Sequence, residues 1–285
     1  MSTVAEVDEL AGATCAQPRQ LIVTVYGLYA RQAGGWLSVA VLVRLLGQLG
    51  VDEPAVRSSI SRLKRRGILV SERISGAAGY ALSEQAREIL VEGDERIFQR
   101  HRARITDGWL LAVFSVPEAE RQKRHLLRSR LAALGLGTAA AGVWIGPAHL
   151  CDSVEQAVVR LGMQSYVDLY RADYRAFGDL VANVRRWWDL EALQRSYTEF
   201  LAVAGPMCGR WNRRRSTPGR DAFVDYVLAL TSWRRLPYLD PGLPIELLPA
   251  DWQGTAAAKH FFALHERLAE AARDHVTEVR LAATG

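Results

Sequence analysis

Arg57, Ser58, Ser61, Arg62 and Arg65 fall within one short stretch and carry the chemistry needed to read a nucleic-acid duplex. Guanidinium forks match phosphate oxygens and the acceptor edge of guanine. Short hydroxyls can enter a major groove and hydrogen-bond there, where bulky aliphatic side chains cannot. On a 3.6-residue period these residues occupy the face opposite Val56, Ile60 and Leu63, with Arg57 at its shoulder. A helix with one apolar and one basic face is most simply a solvated surface helix, so the flanking elements have to decide.

Those elements follow winged-helix order. Residues 19–32 read as a first helix whose bulk comes from Leu21, Ile22 and Val25, and Trp36-Leu37 as a short strand. Ser38 is a good N-cap for VAVLVRLLGQL, which Gly50 ends. Asp52 caps the next helix, Pro54 fits its first turn, and the basic run stops at Gly67. Ile68-Leu69-Val70 and Tyr80-Ala81-Leu82 then bracket Arg73 and a glycine-rich tip from Gly76 to Gly79, which reads as the wing. In this setting the five polar residues become a recognition helix for double-stranded operator DNA, with Arg73 as a wing contact.

Composition restricts the rest. A chain of 285 residues with 49% hydrophobic and 24% charged residues builds two or three real cores and is not disordered. The net charge of +5 suits a polyanionic partner without requiring one, and arginine supplies nearly all of the positive charge, with lysine only at Lys64, Lys123 and Lys259. Cys15, Cys151 and Cys208 are far apart and form no C-x-x-C pair, which argues against a disulfide framework or a zinc site and for a reducing cytoplasm. The N-terminus carries Glu6, Asp8 and Glu9, and the apolar run at 21–30 is too short to span a bilayer, so no membrane or export route is expected. His260 and His265 miss the i, i+4 spacing of a metal pair, and Gly135, Gly137 and Gly142 follow a helix instead of a strand, unlike a dinucleotide fingerprint. With no nucleophile elbow and no P-loop, the expectation is a non-enzymatic protein without cofactor or metal.

Along the chain the expected organisation is α+β. A loose tail (1–17) precedes a winged helix-turn-helix (18–83) and a connector helix (84–104) bent at Gly93. Residues 105–182 alternate in period: strand 109–114, a basic helix at 117–134, a strand around Gly142-Val143-Trp144-Ile145, a helix from about Ser153, and a strand at 164–169. These three strands and two helices approach the βαββαβ order of a ferredoxin-like domain, the expected fold of this segment. From 183 to 285 the signal is helical, in segments 181–204, 219–233 and 255–283, interrupted by a proline-rich loop.

Three segments carry a resemblance: the winged region, VFSVPEAERQKRHLLRSRLAALGLGTAAAGVWIGP, and LPYLDPGLPIELLPADWQGTAA. The last holds a D-P-x-L-P-x-x-L-L-P-x-D-W-x-G signature at Asp240, Pro241, Leu243, Pro244, Leu247, Leu248, Pro249, Asp251, Trp252 and Gly254. On these the chain resembles the PaaX-type family of bacterial repressors of phenylacetate catabolism. The resemblance implies a homodimeric repressor with a winged helix, a central ferredoxin-like domain similar to Cas2 and a C-terminal helical domain. It further implies release from operator DNA by phenylacetyl-CoA or another acyl-CoA. For such an effector the arginine–tryptophan clusters at 185–188 and 210–215 offer Arg185, Trp187, Trp211 and Arg213: guanidiniums for phosphates and indoles for an aromatic ring. Helical spacing, however, makes at least one of Trp187 and Trp188 a core residue.

Two rival readings stand beside the regulator. A Cas2-like metal-dependent nuclease would need a carboxylate at the end of the first central strand, where the family usually shows F-D-x-P-E; here Phe114 is followed by Ser115, a poor ligand for a hard cation. A winged-helix adaptor for protein partners would leave the basic, hydroxyl-rich face unexplained. The prolines of the signature loop exclude helix and fix a rigid segment, expected to act as a clamp on the C-terminal helices.

Overall fold

A computed structural model describes residues 17–31, 34–175 and 177–283; Cys15 and all but the last residue of the expected tail lie outside them. The first elements are α1 (Pro18–Val25), β1 (Trp36–Ser38), α2 (Val39–Gln48), α3 (Glu53–Arg65), β2 (Leu69–Ile74), β3 (Ala77–Leu82) and α4 (Glu84–Phe98). Next come β4 (Trp109–Phe114), α5 (Arg121–Ala133), β5 (Gly137–Ala140), β6 (Val143–Pro147), α6 (Cys151–Arg160) and β7 (Val167–Ala172). The remainder is helical: α7 (Leu180–Trp187), α8 (Leu190–Arg213), α9 (Gly219–Trp233), α10 (Leu236–Leu239) and α11 (Gly254–Leu281). Two compact units result. The first holds residues up to Glu95, Glu199–Arg234 and Thr255 onward; the second holds Arg96–Thr198 and Arg235–Gly254.

In the first unit, Ser38 Oγ accepts the Val41 N–H at 3.2 Å and Asp52 Oδ1 the Ala55 N–H at 2.8 Å, so α2 and α3 start at the expected caps. Gly50 and Gly67 follow them with φ of 80° and 70°, the left-handed positions that glycine adopts without a Cβ penalty. Ile22, Val25, Leu42, Leu45, Leu46, Val56 and Leu63 are fully buried and form the core of the helix-turn-helix. The first helix is α-helical only to Val25 and continues as a π-helical turn over Tyr26–Ala30. From that turn Tyr26 Oη donates to the Tyr80 carbonyl at 2.9 Å, tying the helix to β3.

The same unit contains α9, α11 and the later part of α8. Thr24 of α1 and Thr231 of α9 share a buried hydroxyl pair at 2.8 Å, and the rings of Trp233 and Phe261 stack at 4.8 Å. Phe223 and Phe261 are fully buried, and each such ring contributes roughly 1.5–3 kcal/mol of transfer free energy. The helix-turn-helix is therefore built into a core that the C-terminal helices complete.

The second unit is a four-stranded antiparallel sheet, in the order β5-β6-β4-β7, with α5 and α6 as its crossovers. That is the ferredoxin-like arrangement expected from the alternation of periods. Leu110, Ala112 and Phe114, on one face of β4, share a core with Leu127 and Leu131 of α5 and Val154, Ala157 and Val158 of α6. Trp109, on the alternate face, lies 6.0 and 6.2 Å from the rings of Trp187 and Trp188.

Three local expectations are corrected. The single strand around Gly142 is a hairpin: Gly142 has a φ of 75°, and the chain reverses there between β5 and β6. The last strand starts at Val167, because 164–166 form a 3₁₀ turn. The long helix at 181–204 breaks after Trp187, where the Asp189 carboxylate accepts the Ala192 N–H at 2.8 Å and starts α8.

The proline-rich loop belongs to the second unit, where Asp240 is its anchor. Its carboxylate side chain is 2% exposed and receives Arg100, the Tyr197 hydroxyl at 2.7 Å and the Gly242 N–H at 2.9 Å, with Arg102 at 3.7 Å. Arg100 also donates to the Gly254 carbonyl at 2.7 Å and Arg102 to the Leu243 carbonyl at 2.6 Å, so both ends of the loop are held. Burial pushes the Arg102 guanidinium below its ordinary range and the Asp240 charge opposes that push, while burial together with Asp240 pushes the Tyr197 phenol up.

Candidate nucleic-acid interface

Helix α3 divides as its period requires. Val56, Ile60 and Leu63 are buried together with Ser59, whereas Arg57, Ser58, Ser61, Arg62, Lys64 and Arg65 are exposed. Among the described residues, the side chains of Arg62, Arg65 and Arg73 make no hydrogen bond or ion pair, so their guanidiniums are free to meet an incoming anion. Arg57 differs. It pairs with Glu53 one turn earlier at 2.6 Å, with both side chains more than half exposed. An exposed i, i+4 pair contributes only about 0.3–0.5 kcal/mol, little enough for Arg57 to exchange Glu53 for a phosphate.

The wing is longer than its sequence suggests. Strands β2 and β3 pair from Leu69↔Leu82 to Ile74↔Ala77, and β1 adds to the other edge of β3. The tip is only Ser75 and Gly76, with φ of 50° and 83°, the two-residue turn whose twist matches an antiparallel hairpin. Gly79 lies inside β3, not at the tip. The Trp36 indole covers it and donates to the Glu72 carbonyl at 3.3 Å, so no side chain fits at this position. Arg73, opposite Ala78, stands exposed near the tip. The first unit thus presents a basic helix face and a basic hairpin, chemistry suited to phosphates and base edges.

The residues expected to touch an effector have separate fates. Arg185 and Arg213 are exposed, in the second and first unit respectively. Trp187 is half-buried in an aromatic cluster with Trp109, Trp188 and Tyr174. Trp211 must be corrected: it is 2% exposed, and its indole N–H donates to Asp225 at 2.7 Å. An indole so placed belongs to the core and offers no face for stacking on a ligand. Asp225, 14 residues along the chain, carries no local signal of this pairing.

Among the described residues no three His, Cys, Asp or Glu side chains gather as a metal-ligand set, and no helix is long and apolar enough to cross a membrane. Cys151 and Cys208 are free thiols that burial pushes up, away from the reactive thiolate.

Comparison with known proteins finds matches along most of the chain. Family models match residues 17–86 (PaaX-like protein), 102–184 (PaaX protein central Cas2-like domain) and 188–278 (PaaX-like protein C-terminal domain). Transcriptional repressor PaaX of Escherichia coli (strain K12) is 27% identical over 263 residues, covering 90% of this chain and 82% of the relative. Among solved structures, the uncharacterized protein Rv0674 from Mycobacterium tuberculosis shares the fold, with a TM-score of 0.55 and 23% identity over 88% of this chain and 99% of that one.

Proposed function

This chain belongs to the PaaX-like protein family, and we propose that it acts as a transcriptional repressor whose α3 reads operator DNA. The single observation carrying this reading is that Arg62 and Arg65 are exposed, with side chains that have no partner among the described residues, on a helix whose opposite face is locked into the core. In the working complex α3 enters the major groove. Arg57, Ser58, Ser61, Arg62 and Arg65 meet base edges and phosphates, and Arg73 follows the backbone beside the groove. A homodimer would present two such helices to half-sites about one helical turn apart.

Similarity to a transcriptional repressor supports repression, and the resemblance supports a cytoplasmic repressor of an aromatic-acid operon, released by phenylacetyl-CoA or another acyl-CoA. Release requires a ligand that binds the DNA-free state more tightly than the DNA-bound state. Nothing in this reading asks the central domain for catalysis.

Selection of duplexes from a random pool tests the proposal. The chain is expected to enrich one motif, with two related halves if it binds as a dimer. The affinity should fall with salt by about 0.9 log units per log unit of salt for each phosphate neutralised. Retention of no sequence above background, or binding indifferent to salt, would refute it.

A further inference from the structure

Helix α5 of the second unit carries five cations, Arg121, Lys123, Arg124, Arg128 and Arg130, and no carboxylate in its 13 residues. That equals the net charge of the whole chain, +5. Outside α5 the second unit holds eleven Lys and Arg against thirteen Asp and Glu, so its positive charge is gathered on this one helix. Local carboxylates account for part of it. Lys123 pairs with Glu120 at 2.9 Å and reaches the Tyr166 hydroxyl at 3.2 Å, and Arg124 pairs with Glu118 at 3.0 Å. The side chains of Arg121 and Arg128 make no hydrogen bond or ion pair among the described residues, and Asp152 and Glu155 on the neighbouring α6 pair with neither. With His125 these two arginines stand at i, i+4 and i+7 on one helix face, and all three are exposed. Exposed Gln122 and Ser129 flank the stripe, while Leu127 and Leu131 are buried in the core of the unit.

From this stripe we propose that α5 is a second duplex-binding surface, one that holds DNA by its phosphates without reading sequence. A surface helix ordinarily intersperses acids and bases. Here Arg124 has Arg121 three residues before it and Arg128 four after, like charges whose proximity destabilises a helix. Arg121 also opens α5, where the macrodipole disfavours a cation. A polyanion laid along the stripe offsets both effects. Arginine forks match phosphate oxygens, and Gln122 and Ser129 add neutral donors of the kind that fix a protein on the DNA backbone. From Arg121 to Arg128 the helix rises about 10 Å, a length over which a duplex presents roughly three phosphates on each strand. A lipid surface does not match, because Gln122, His125 and Ser129 stand where an interfacial helix would expose large apolar side chains. The choice of duplex as the polyanion rests on the DNA-binding reading above; the existence of the basic face does not.

Gel shift of the full chain over a salt series, on its selected duplex and on an unrelated duplex of equal length, tests the surface. Arg121→Ala/Arg128→Ala is expected to weaken both duplexes by the same factor, at least about tenfold near 0.1 M salt, and to flatten the salt dependence by about 1.8 log units per log unit of salt. Arg175→Ala/Arg186→Ala removes the same charge from exposed positions of the same unit and should change neither quantity. Relief of the crowding around Arg124 should let the α5 variant melt no lower than the wild type, which separates a lost contact from a lost fold. Unchanged affinity and slope in the α5 variant overturn the surface. An equal loss in the Arg175/Arg186 variant reduces the effect to net charge and overturns it too. Stronger competition by polyglutamate than by the unrelated duplex, at equal charge, would make the partner an acidic protein and overturn the duplex assignment. Arg62→Ala/Arg65→Ala, assayed alongside, should lose preference for the motif yet keep the salt-sensitive binding that α5 supplies. If that variant is unaffected and the α5 variant weakened, α3 is not the reading helix but the α5 surface stands; the converse leaves α3 and removes α5. A wild type that retains neither duplex defeats both.

Discussion

An Arg62→Ala/Arg65→Ala double variant is expected to lose at least about 30-fold in affinity for its selected duplex while melting at nearly the wild-type temperature. The two halves of that expectation have separate causes. Each bidentate arginine–base contact discriminates by about 1–3 kcal/mol, so two lost contacts amount to about 2 kcal/mol or more. Stability stays because both side chains are exposed and unpartnered among the described residues, and surface substitutions of that kind stay within about 0.5 kcal/mol. The manner of the loss is informative. Base contacts would relax specificity at particular positions, whereas phosphate contacts would weaken all sequences alike and flatten the salt dependence by about one unit each. Gel shift over a salt series, paired with a thermal melt, measures both.

Asp240→Ala should be the most destabilising single substitution of the signature loop, at about 3–5 kcal/mol. Removing the carboxylate leaves the Arg100 and Arg102 guanidiniums, with side chains 12% and 24% exposed, without the charge they surround. It also leaves the Tyr197 hydroxyl and the Gly242 N–H without their acceptor. Asp240→Asn keeps an acceptor oxygen and should fall between the two. Chemical denaturation followed by tryptophan fluorescence reads the difference, since Trp252 packs against Tyr197 at 5.5 Å in the same loop anchor. A loss below about 1 kcal/mol in the alanine variant would mean that the loop is held by its apolar contacts alone.

Local patterns made part of this structure readable. Ser38, Asp52, Gly50 and Gly67 mark helix ends because caps and left-handed stops are decided by a residue and its immediate neighbours. The division of α3 follows from the spacing of Val56, Ile60 and Leu63, and β4 from a continuous apolar run over Trp109–Phe114. What escaped reading depends on partners far along the chain. Asp240 is a motif residue by sequence, but the arginines that make it an anchor lie 140 and 138 positions earlier. Trp211 looked available because it is surrounded by arginines; Asp225 and the core of the first unit take it instead. Strand β5, Gly137–Ala140, is too rich in small residues to announce a strand, so the turn at Gly142 passed for its interior. Gln48 and Arg220 stand 172 positions apart, and only the fold brings them to the lining of one charged pocket.

A photoreactive side chain placed at Ser61, in the middle of the basic face of α3, decides whether α3 is the helix that reads DNA. With the selected duplex, a crosslink to bases within the enriched motif is expected, competed by unlabelled motif and absent when the same group is placed at Ser196 of α8. Crosslinking from Ser61 to no DNA, under conditions where the chain retains the duplex, would contradict the assignment of α3 as the reading helix.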